Sequence, residues 1–269
     1  MSSIHPTAIV DSAAELAEDV EIGPYVVISG PVKIGARTRI MSHCCLYGDT
    51  VLLEDNVLHA GVVIGDTPQH LGYHGAPSGV RIGAGNIFRE YVTVHRAYEP
   101  GGNTVIGDRC FFMACSHVAH DCVLGNHIIM ANSCLLGGHV TIEDRVVLSG
   151  NVAVHQFVRI GELAMIGGLA KVVKDIPPYM LVDSGSHVAG LNSVGLRRAG
   201  FSAATRESIK HAYKVLYRSG LNVSDAVAQL EHTHPDCPEV MHIVDFVRKS
   251  SRGISRHEPL ERGSMTATN

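Results

Sequence analysis

Three histidines in this chain are spaced so that their side chains could act together. His120, His139 and His155 lie 19 and 16 residues apart, and His117 lies three residues before the first of them. The imidazole group accepts and donates protons near neutral pH, and it is also the commonest metal ligand in proteins. A fold that repeats about every 18 residues would therefore bring these histidines to one surface.

Two chemistries suit such a cluster, and a third interpretation needs none. In the first, one histidine takes a proton from a hydroxyl or amine that then attacks an acyl donor. A backbone N–H of the Gly137-Gly138 pair, beside His139, would stabilise the oxyanion. In the second, His117, His120 and His139 bind zinc between subunits. In the third, the histidines are unconnected surface residues.

A repeat of six residues explains why a spacing of 18 matters. Neither a helix of period 3.6 nor a strand of period 2 produces such a repeat, whereas a parallel β-helix with three short strands per coil does. Such a solenoid buries its core between neighbouring coils. We predict the left-handed form, because known hexapeptide repeats have that hand. The repeated apolar positions are Ile4, Val10, Leu16, Ile22, Ile28, Ile34, Ile40, Leu46, Leu52, Leu58 and Ile64, and then Ile106, Phe112, Val118, Leu124, Met130, Leu136, Ile142, Leu148, Val154, Ile160, Ile166 and Val172.

The composition limits the functional classes. A formal net charge of −4 argues against a general nucleic-acid binder. No N-terminal apolar stretch resembles a signal peptide and no run approaches about 18 apolar residues, so we expect a cytoplasmic protein without membrane insertion. Four cysteines occupy the small interior position of the repeat, which predicts buried free thiols in a reducing compartment. They are Cys44, Cys110, Cys122 and Cys134.

The repeat divides the chain into two domains. Residues 1–190 are predicted to form the β-helix, with loop insertions near 65–81 and 97–104, where the repeat breaks. Residues 191–252 are predicted to form a small C-terminal helical domain, and residues 253–269 a disordered tail. Loops that leave a rigid scaffold often carry function, which makes the two insertions candidates for substrate binding.

The first long helix predicted in the C-terminal domain is strongly basic along one side. It begins at an N-cap, Ser202, and ends at Gly220. Its basic residues follow each other at steps of four and so share one stripe, which is either a solvated face or a dock for an acidic partner. They are Arg206, Lys210, Lys214 and Arg218.

Several motifs resemble the family of UDP-N-acetylglucosamine acyltransferases, the enzymes that begin lipid A synthesis in Gram-negative bacteria. The resemblance runs from about residue 4 to 253 in the family's order and spacing. In the repeat domain it rests on SHVAHDC at 116–122, GHV at 138–140, AVHQF at 153–157 and DIPPY at 175–179. In the C-terminal domain it rests on GLN at 190–192, GLRR at 195–198, GF at 200–201, AYK at 212–214 and YRSG at 217–220.

The resemblance implies a homotrimer of left-handed β-helices with an active site in each cleft between subunits. It implies transfer of an R-3-hydroxyacyl group from acyl carrier protein to the 3-position of the UDP-linked glucosamine, without metal or cofactor. His120 matches the family's general base, Gly138 its oxyanion donor and His139 a residue that orients the sugar, with His117 beside them. The positions that match binders of the nucleotide sugar are His155, Gln156, Asn192 and Arg198.

Two further assignments follow from the same resemblance. Gly168 matches the position that limits acyl length, and because glycine leaves room there, a chain such as 3-hydroxymyristoyl is favoured over one of ten carbons. The basic stripe on the helical domain acquires a partner, because acyl carrier protein is strongly acidic.

This sequence departs from the family pattern in the first insertion. The best-known members carry Asp and, two residues later, Lys against the sugar, and here those positions are His70 and Gly72. Ala199 and Val194 also replace a second Arg and a nucleotide-binding Glu. These changes leave open a paralogue that acylates the amine of a 3-amino nucleotide sugar, or an N-acyl- or acetyltransferase on a related sugar. A zinc hydratase and a non-catalytic scaffold are the remaining alternatives.

Overall fold

Short parallel strands wind the N-terminal two thirds of the chain into a three-sided solenoid. The computed structural model describes residues 3–257, which contain 28 strands and four helices. In chain order the strands are β1 Ser3–Ile4, β2 Ile9–Val10, β3 Glu15–Leu16, β4 Glu21–Ile22, β5 Val27–Ser29, β6 Lys33–Ile34, β7 Arg39–Ile40, β8 Cys45–Tyr47, β9 Asp49–Leu52, β10 Val57–Leu58, β11 Val63–Asp66, β12 Gly79–Ile82, β13 Ile87–Phe88, β14 Thr93–His95, β15 Asn103–Ile106, β16 Phe111–Phe112, β17 His117–Val118, β18 Val123–Leu124, β19 Ile129–Met130, β20 Leu135–Leu136, β21 Thr141–Ile142, β22 Val147–Leu148, β23 Ala153–Val154, β24 Arg159–Ile160, β25 Met165–Ile166, β26 Lys171–Val172, β27 Met180–Val182 and β28 Val188–Leu191.

Successive strands fall on three different sheets, which form the faces of the prism. Face A contains every third strand from β1 to β25 together with β27 and β28, face B runs from β2 to β26, and face C from β3 to β24. Neighbours on each face are parallel, except that β28 returns antiparallel to β27. The predicted left-handed β-helix with a small helical C-terminal domain is therefore confirmed.

The register of the strands shows where the two insertions leave the coil. Most paired residues are 18 apart, as Glu21 and Arg39 are. Val57 and Ile87 are 30 apart, and Ile87 and Phe111 are 24 apart, so these two coils carry twelve and six extra residues. Both insertions lie between a face B strand and the following face C strand. We call this edge of the prism the site corner; it comprises residues 67–78, 96–102, 119–122, 137–140 and 155–158.

The repeated apolar residues fill the interior of the prism. From Ile22 onward they are at most 4% exposed, and the rings of Phe88 and Phe112 stack at 4.8 Å. Ile4 is 47% exposed, because no coil lies beneath the first one. The four predicted interior cysteines are buried free thiols.

Tight corners make the coils possible. At many corners a residue other than glycine adopts a left-handed conformation, as Asp121, His139 and Phe157 do with φ of 59°, 59° and 65°. Glycine is required where one coil's backbone touches the next: a Cβ at Gly35 would lie 2.4 Å from the carbonyl carbon of Leu53. Alignment of these corners is what places side chains from successive coils above one another.

Four helices follow the solenoid and pack as a small domain. Their bounds are α1 Ser193–Arg198, α2 Ala203–Arg218, α3 Val223–Thr233 and α4 Pro238–Arg248. Ser202 caps α2 as predicted, its hydroxyl accepting from the Thr205 N–H. None of these helices, within residues 3–257, has the length and apolar character needed to cross a lipid bilayer.

The predicted disordered tail is wrong for its first residues. Ile254 forms a parallel bridge with Asp175, His257 forms one with Val188, and Ser255 is buried. Polar composition did not reveal this pairing, because the partners are backbone groups of the last coil. Residues 258–269 of the predicted tail lie outside the described residues.

Candidate active site

Three successive coils build one cluster at the site corner. The pairing of His117 with Leu135, and of Leu135 with Ala153, continues past the strands into the corner. It places His120 below Gly138 and Asp121 below His139. The predicted histidines therefore share a corner, but His120, His139 and His155 occupy adjacent columns rather than a single one.

His120 is held by a carboxylate. Its Nδ1 lies 2.7 Å from Oδ2 of Asp121, which also accepts the backbone N–H of Tyr98 at 2.8 Å. Glu99 N–H lies 3.3 Å from the other carboxylate oxygen. An ionised carboxylate can only accept hydrogen bonds, so Nδ1 of His120 carries the proton and Nε2 presents a lone pair. This is the arrangement of a general base with an orienting acid.

Asp121 was not among the predicted site residues. Its signal in the sequence is its position directly after His120, one coil above the insertion whose backbone amides bind its carboxylate. The hydroxyl of buried Thr104 also accepts the Asp121 N–H at 2.9 Å. The second insertion therefore fixes Asp121, and Asp121 fixes His120.

Gly138 lies directly against the His120 ring. A Cβ at this position would come within 2.7 Å of Nε2 and 2.6 Å of Cε1 of His120, so any side chain would displace the imidazole. Within residues 3–257 the Gly138 N–H has no hydrogen-bond acceptor, while the neighbouring Gly137 N–H donates to Val154. An unpaired N–H beside a candidate base is what an oxyanion donor requires.

His139 completes the cluster on the open side. Its ring stacks on Phe157 at 4.5 Å and stands perpendicular to the His120 ring at 5.3 Å. Its Nε2 lies 3.8 Å from Asp121 Oδ2. The side chain remains partly exposed and can contact a ligand bound above His120.

The first insertion, which leaves a lower coil, reaches the same cluster. The His70 ring meets the His120 ring edge-on at 5.6 Å, although the two residues are 50 positions apart. Nδ1 of His70 accepts the Gly72 N–H at 3.1 Å. The positions singled out in the sequence are therefore at the candidate site.

His117 lies in β17, on face B next to the site corner, and is partly buried. Its Nδ1 lies 2.7 Å from the Thr93 hydroxyl, and its ring meets that of buried His95 at 5.2 Å. Burial, together with the neighbouring His95 and His120, lowers the pKa of His117 to about 4. His117 is therefore neutral near pH 7 and supports the cluster from below.

Within one chain, the geometry does not bring together the three histidines of the zinc alternative, His117, His120 and His139. Among residues 3–257, the potential ligand atoms that converge within 4.8 Å belong to His120, Asp121 and His139, without His117. Asp121 Oδ2 is already the hydrogen-bond acceptor of His120 Nδ1. A metal at this trio would have to displace the proton that orients the imidazole.

The remaining predicted sugar-nucleotide residues surround the cluster or lie apart from it. His155 and Gln156 are exposed one coil above, and His155 Nδ1 lies 3.3 Å from the Arg252 guanidinium. Asn192 caps α1 by accepting the Gly195 N–H and donates to the Leu163 carbonyl. Arg198 is exposed in the last turn of α1, and within residues 3–257 nothing joins it to His120 or His139.

The predicted acyl-length and carrier-binding residues lie on other parts of the surface. Gly168 sits at the corner after β25, where an added Cβ would make only ordinary contacts, the nearest at 3.4 Å from the Gly150 carbonyl. On α2 the basic stripe remains mainly exposed. Lys210 pairs with Glu207, and the Arg218 guanidinium lies 5.3 Å above the Tyr213 ring.

Comparison with known proteins identifies the family of this chain. Residues 175–255 match the family model described as UDP-N-acetylglucosamine O-acyltransferase, domain 2. Acyl-[acyl-carrier-protein]--UDP-N-acetylglucosamine O-acyltransferase of Thermodesulfovibrio yellowstonii is 45% identical over 95% of this chain and 100% of its own. The protein of the same name from Syntrophobacter fumaroxidans is 47% identical over 94% and 99%.

A solved structure is similar over almost the same length. The UDP-N-acetylglucosamine acyltransferase of Francisella novicida superposes with a TM-score of 0.91 at 38% identity, covering 94% of each chain. The similarity thus extends over both the solenoid and the helical domain.

Proposed function

Because this chain belongs to the UDP-N-acetylglucosamine O-acyltransferase family, we propose that it acylates the 3-hydroxyl of UDP-N-acetylglucosamine from acyl carrier protein, with His120 as general base. This reaction is the first step of lipid A biosynthesis. The observation that carries the assignment of the base is the hydrogen bond between His120 Nδ1 and Asp121, which leaves Nε2 free to accept a proton.

In the proposed mechanism, His120 carries one proton from the sugar hydroxyl to the leaving thiolate. Nε2 of His120 removes it from the sugar hydroxyl as that oxygen attacks the thioester carbonyl of the acyl carrier protein. Asp121 stabilises the imidazolium that forms. When the tetrahedral intermediate collapses, the C–S bond breaks and Nε2 returns the proton to the departing thiolate. His120 ends the cycle neutral, as it began.

The oxyanion of that intermediate is stabilised by the Gly138 N–H. The absence of an acceptor for this N–H within residues 3–257 supports the assignment, as does its place beside the His120 ring. Loss of one such donor typically costs about 10²–10³-fold in rate. His139, stacked on Phe157, contacts the sugar, and His155 and Gln156 bind the nucleotide one coil above.

The decisive experiment is the turnover of His120→Ala with UDP-N-acetylglucosamine and a 3-hydroxyacyl carrier protein. We expect kcat to fall by about 10²–10⁴-fold, because proton transfer loses its catalyst, while the melting temperature changes little. The matched control is His127→Ala at a different corner, which we expect to keep full activity. Near wild-type turnover by His120→Ala would refute the mechanism.

A second candidate, acylation of a 3-amino nucleotide sugar, is motivated by the changed contact at residue 70. His70 accepts a hydrogen bond through Nδ1 and so presents an N–H, where the family resemblance places an acidic acceptor. Turnover with UDP-N-acetylglucosamine, its 3-amino analogue and acetyl-CoA as alternative donor separates the possibilities. A clear preference for the standard sugar and acyl carrier protein excludes both the amine and the acetyl alternatives.

The basic stripe of α2 is proposed as the dock for acyl carrier protein. Its exposure supports this role, especially at Lys214, which has no ion pair within residues 3–257. Changing Lys214 to Glu should raise the KM for the acyl carrier protein severalfold and leave the KM for the nucleotide sugar unchanged. Equal KM values for both substrates in this variant and the wild type would exclude the dock.

A homotrimer is proposed because the site of one chain is incomplete. Arg198, a nucleotide-binding position by resemblance, does not reach the His120 cluster of its own chain, and Leu71 at the tip of the first insertion is fully exposed. Both are explained if neighbouring chains meet at the site corner. Light scattering should give the mass of three chains, and a monomer retaining activity would contradict the arrangement.

We also propose that Gly168 limits the length of the acyl chain. The space at Gly168 supports a long chain such as 3-hydroxymyristoyl, and Gly168→Met should shift the preference of the enzyme to a shorter chain. An unchanged preference would exclude that position as the limit.

Seven free cysteines, four of them buried, support a cytoplasmic location, which cell fractionation can test.

A further inference from the structure

Tyr98 lies beside the two histidines, His70 and His120, that reach the site from different coils. Its ring centroid is 4.2 Å from that of His70 and 5.9 Å from that of His120. Its backbone N–H donates to Asp121 at 2.8 Å, so the residue cannot shift without disturbing the carboxylate that orients the base. The second insertion therefore places an aromatic side chain at a fixed point next to His120.

The phenol of Tyr98 occupies the space that a side chain at residue 72 would need. A Cβ added at Gly72 would lie 3.2 Å from the Tyr98 hydroxyl and 3.2 Å from the His70 ring. This contact is tighter than an ordinary van der Waals approach. Glycine at 72 and tyrosine at 98 are thus sterically linked, and the polar group at this point comes from the second insertion rather than the first.

The neighbouring rings of Tyr98 and His70 each carry a hydrogen-bond donor. Within residues 3–257 the Tyr98 hydroxyl has no hydrogen-bond partner. His70 is occupied at Nδ1 by the Gly72 N–H, so its Nε2 carries the proton of the neutral ring. Both groups are uncharged donors attached to aromatic faces, a combination that suits a neutral, hydroxylated ring with apolar C–H edges.

We propose that Tyr98 is a specificity-determining residue that, with His70, binds the hexosamine ring of the acceptor and sets its 3-position against His120. The inference rests on the proposed function and adds a sugar contact from the 96–102 insertion. Tyr98 does not take part in proton transfer. Its contribution is to the binding of the sugar portion and not to that of the uridine nucleotide.

Calorimetric titration of Tyr98→Phe tests this inference without relying on turnover. The change removes one oxygen and keeps the ring. We expect the Kd for UDP-N-acetylglucosamine to rise about fivefold, as for loss of one hydrogen bond, and the Kd for UDP to remain unchanged. The matched control is Tyr91→Phe, an exposed tyrosine at another corner, which should bind both ligands as the wild type does.

A double-mutant cycle with Gly72→Ala tests the steric link. Gly72→Ala alone should weaken sugar binding, because its methyl group displaces the Tyr98 hydroxyl. In the Tyr98→Phe background the same change should cost less. Additive effects would show that the two residues act separately and would overturn the linked site.

The outcomes separate this inference from the proposed function. If Tyr98→Phe binds UDP-N-acetylglucosamine as tightly as the wild type, the inference is wrong, whatever the turnover of His120→Ala. If Tyr98→Phe loses sugar affinity while His120→Ala retains turnover, the sugar contact stands and the assignment of the base fails. Failure of the wild type to bind UDP-N-acetylglucosamine would overturn both.

Discussion

Asp121 is the residue on which the chemistry of the cluster depends most. It has three hydrogen-bond donors around it, two from the backbone of the second insertion and one from His120. A carboxylate held in this way cannot rotate away from the imidazole. It therefore fixes the tautomer of His120 and, in the proposed mechanism, would stabilise the positive charge that the ring acquires during turnover.

We expect Asp121→Asn to lower kcat by about 10²-fold, because an amide can occupy the same space but cannot stabilise the imidazolium as a carboxylate does. The KM for the nucleotide sugar should change little. Steady-state kinetics measure both constants. The control is Asp108→Asn, a corner carboxylate that also accepts a backbone N–H but lies away from the cluster. A wild-type kcat in Asp121→Asn would mean that His120 needs no orienting acid.

The two insertions are the elements that supply the candidate site with contacts that the regular coils lack. Each adds a whole number of six-residue units to its coil, so the strand after it resumes its place on face C. The first insertion delivers His70, and the second delivers the amides that hold Asp121. Each contact joins an insertion to a residue of the regular coil, His120 or Asp121.

Shortening the second insertion should separate folding from catalysis. Deletion of residues 97–102 restores the 18-residue spacing between Ile87 and Phe111 and removes the two amides bound by Asp121. We expect the solenoid to retain its circular dichroism spectrum, while kcat falls at least tenfold. Pro100→Ala, which keeps the length of the loop, is the control. Full activity in the shortened protein would show that Asp121 does not depend on this loop.

The two insertions also show which parts of the site could be predicted from the sequence and which could not. The hexad predicts the strands and the stacking of His120 beneath residue 138, because core burial repeats with the coil. The contacts of His70 and Tyr98 were not predictable, since loops follow no period and their amides form hydrogen bonds whatever the side chain. Helix α1 lies within the predicted helical domain, but its six residues contain too few turns to show a period of their own. The pairing of Ile254 was missed because its partner is a backbone strand edge.

At the scale of the whole molecule, His242 ties the helical domain to the solenoid. His242 of α4 lies between two carboxylates of the solenoid, with Nε2 2.9 Å from Glu143 and Nδ1 3.6 Å from Glu162. Hydrogen bonds to Glu143 and then to Glu162, against an opposing effect of burial, raise the pKa of His242 to about 9. The imidazolium is therefore charged at neutral pH and links the two domains.

This linkage predicts a defined pH dependence of stability. Because the pKa of His242 is higher in the folded than in the unfolded chain, its contribution is complete below pH 6.5 and is lost as the pH rises through about 9. We expect His242→Gln to lower the free energy of unfolding by about 1–2 kcal/mol at pH 7, allowing for partial solvent screening. Chemical denaturation at pH 7 and pH 10 measures the difference.

The matched control is His232→Gln on α3, an exposed histidine of the same domain, which should unfold like the wild type at both pH values. At pH 10 we expect His242→Gln and the wild type to converge, because His242 is then neutral in both states. A difference that persists undiminished at pH 10 would assign the effect to packing rather than to charge.

The constant rise of the coils makes the solenoid a ruler. Adjacent strands in a sheet lie about 4.8 Å apart, and each coil of 18 residues climbs by that step. Residue 168 lies 48 residues beyond His120, or between two and three steps, roughly 13 Å along the axis. If Gly168 limits the acyl chain, as proposed, then the number of coils between His120 and Gly168 determines the length of the acyl chain that fits. Inserting or removing one 18-residue coil between these positions should then change the preferred chain by a discrete increment, while His120 and Asp121 keep their geometry.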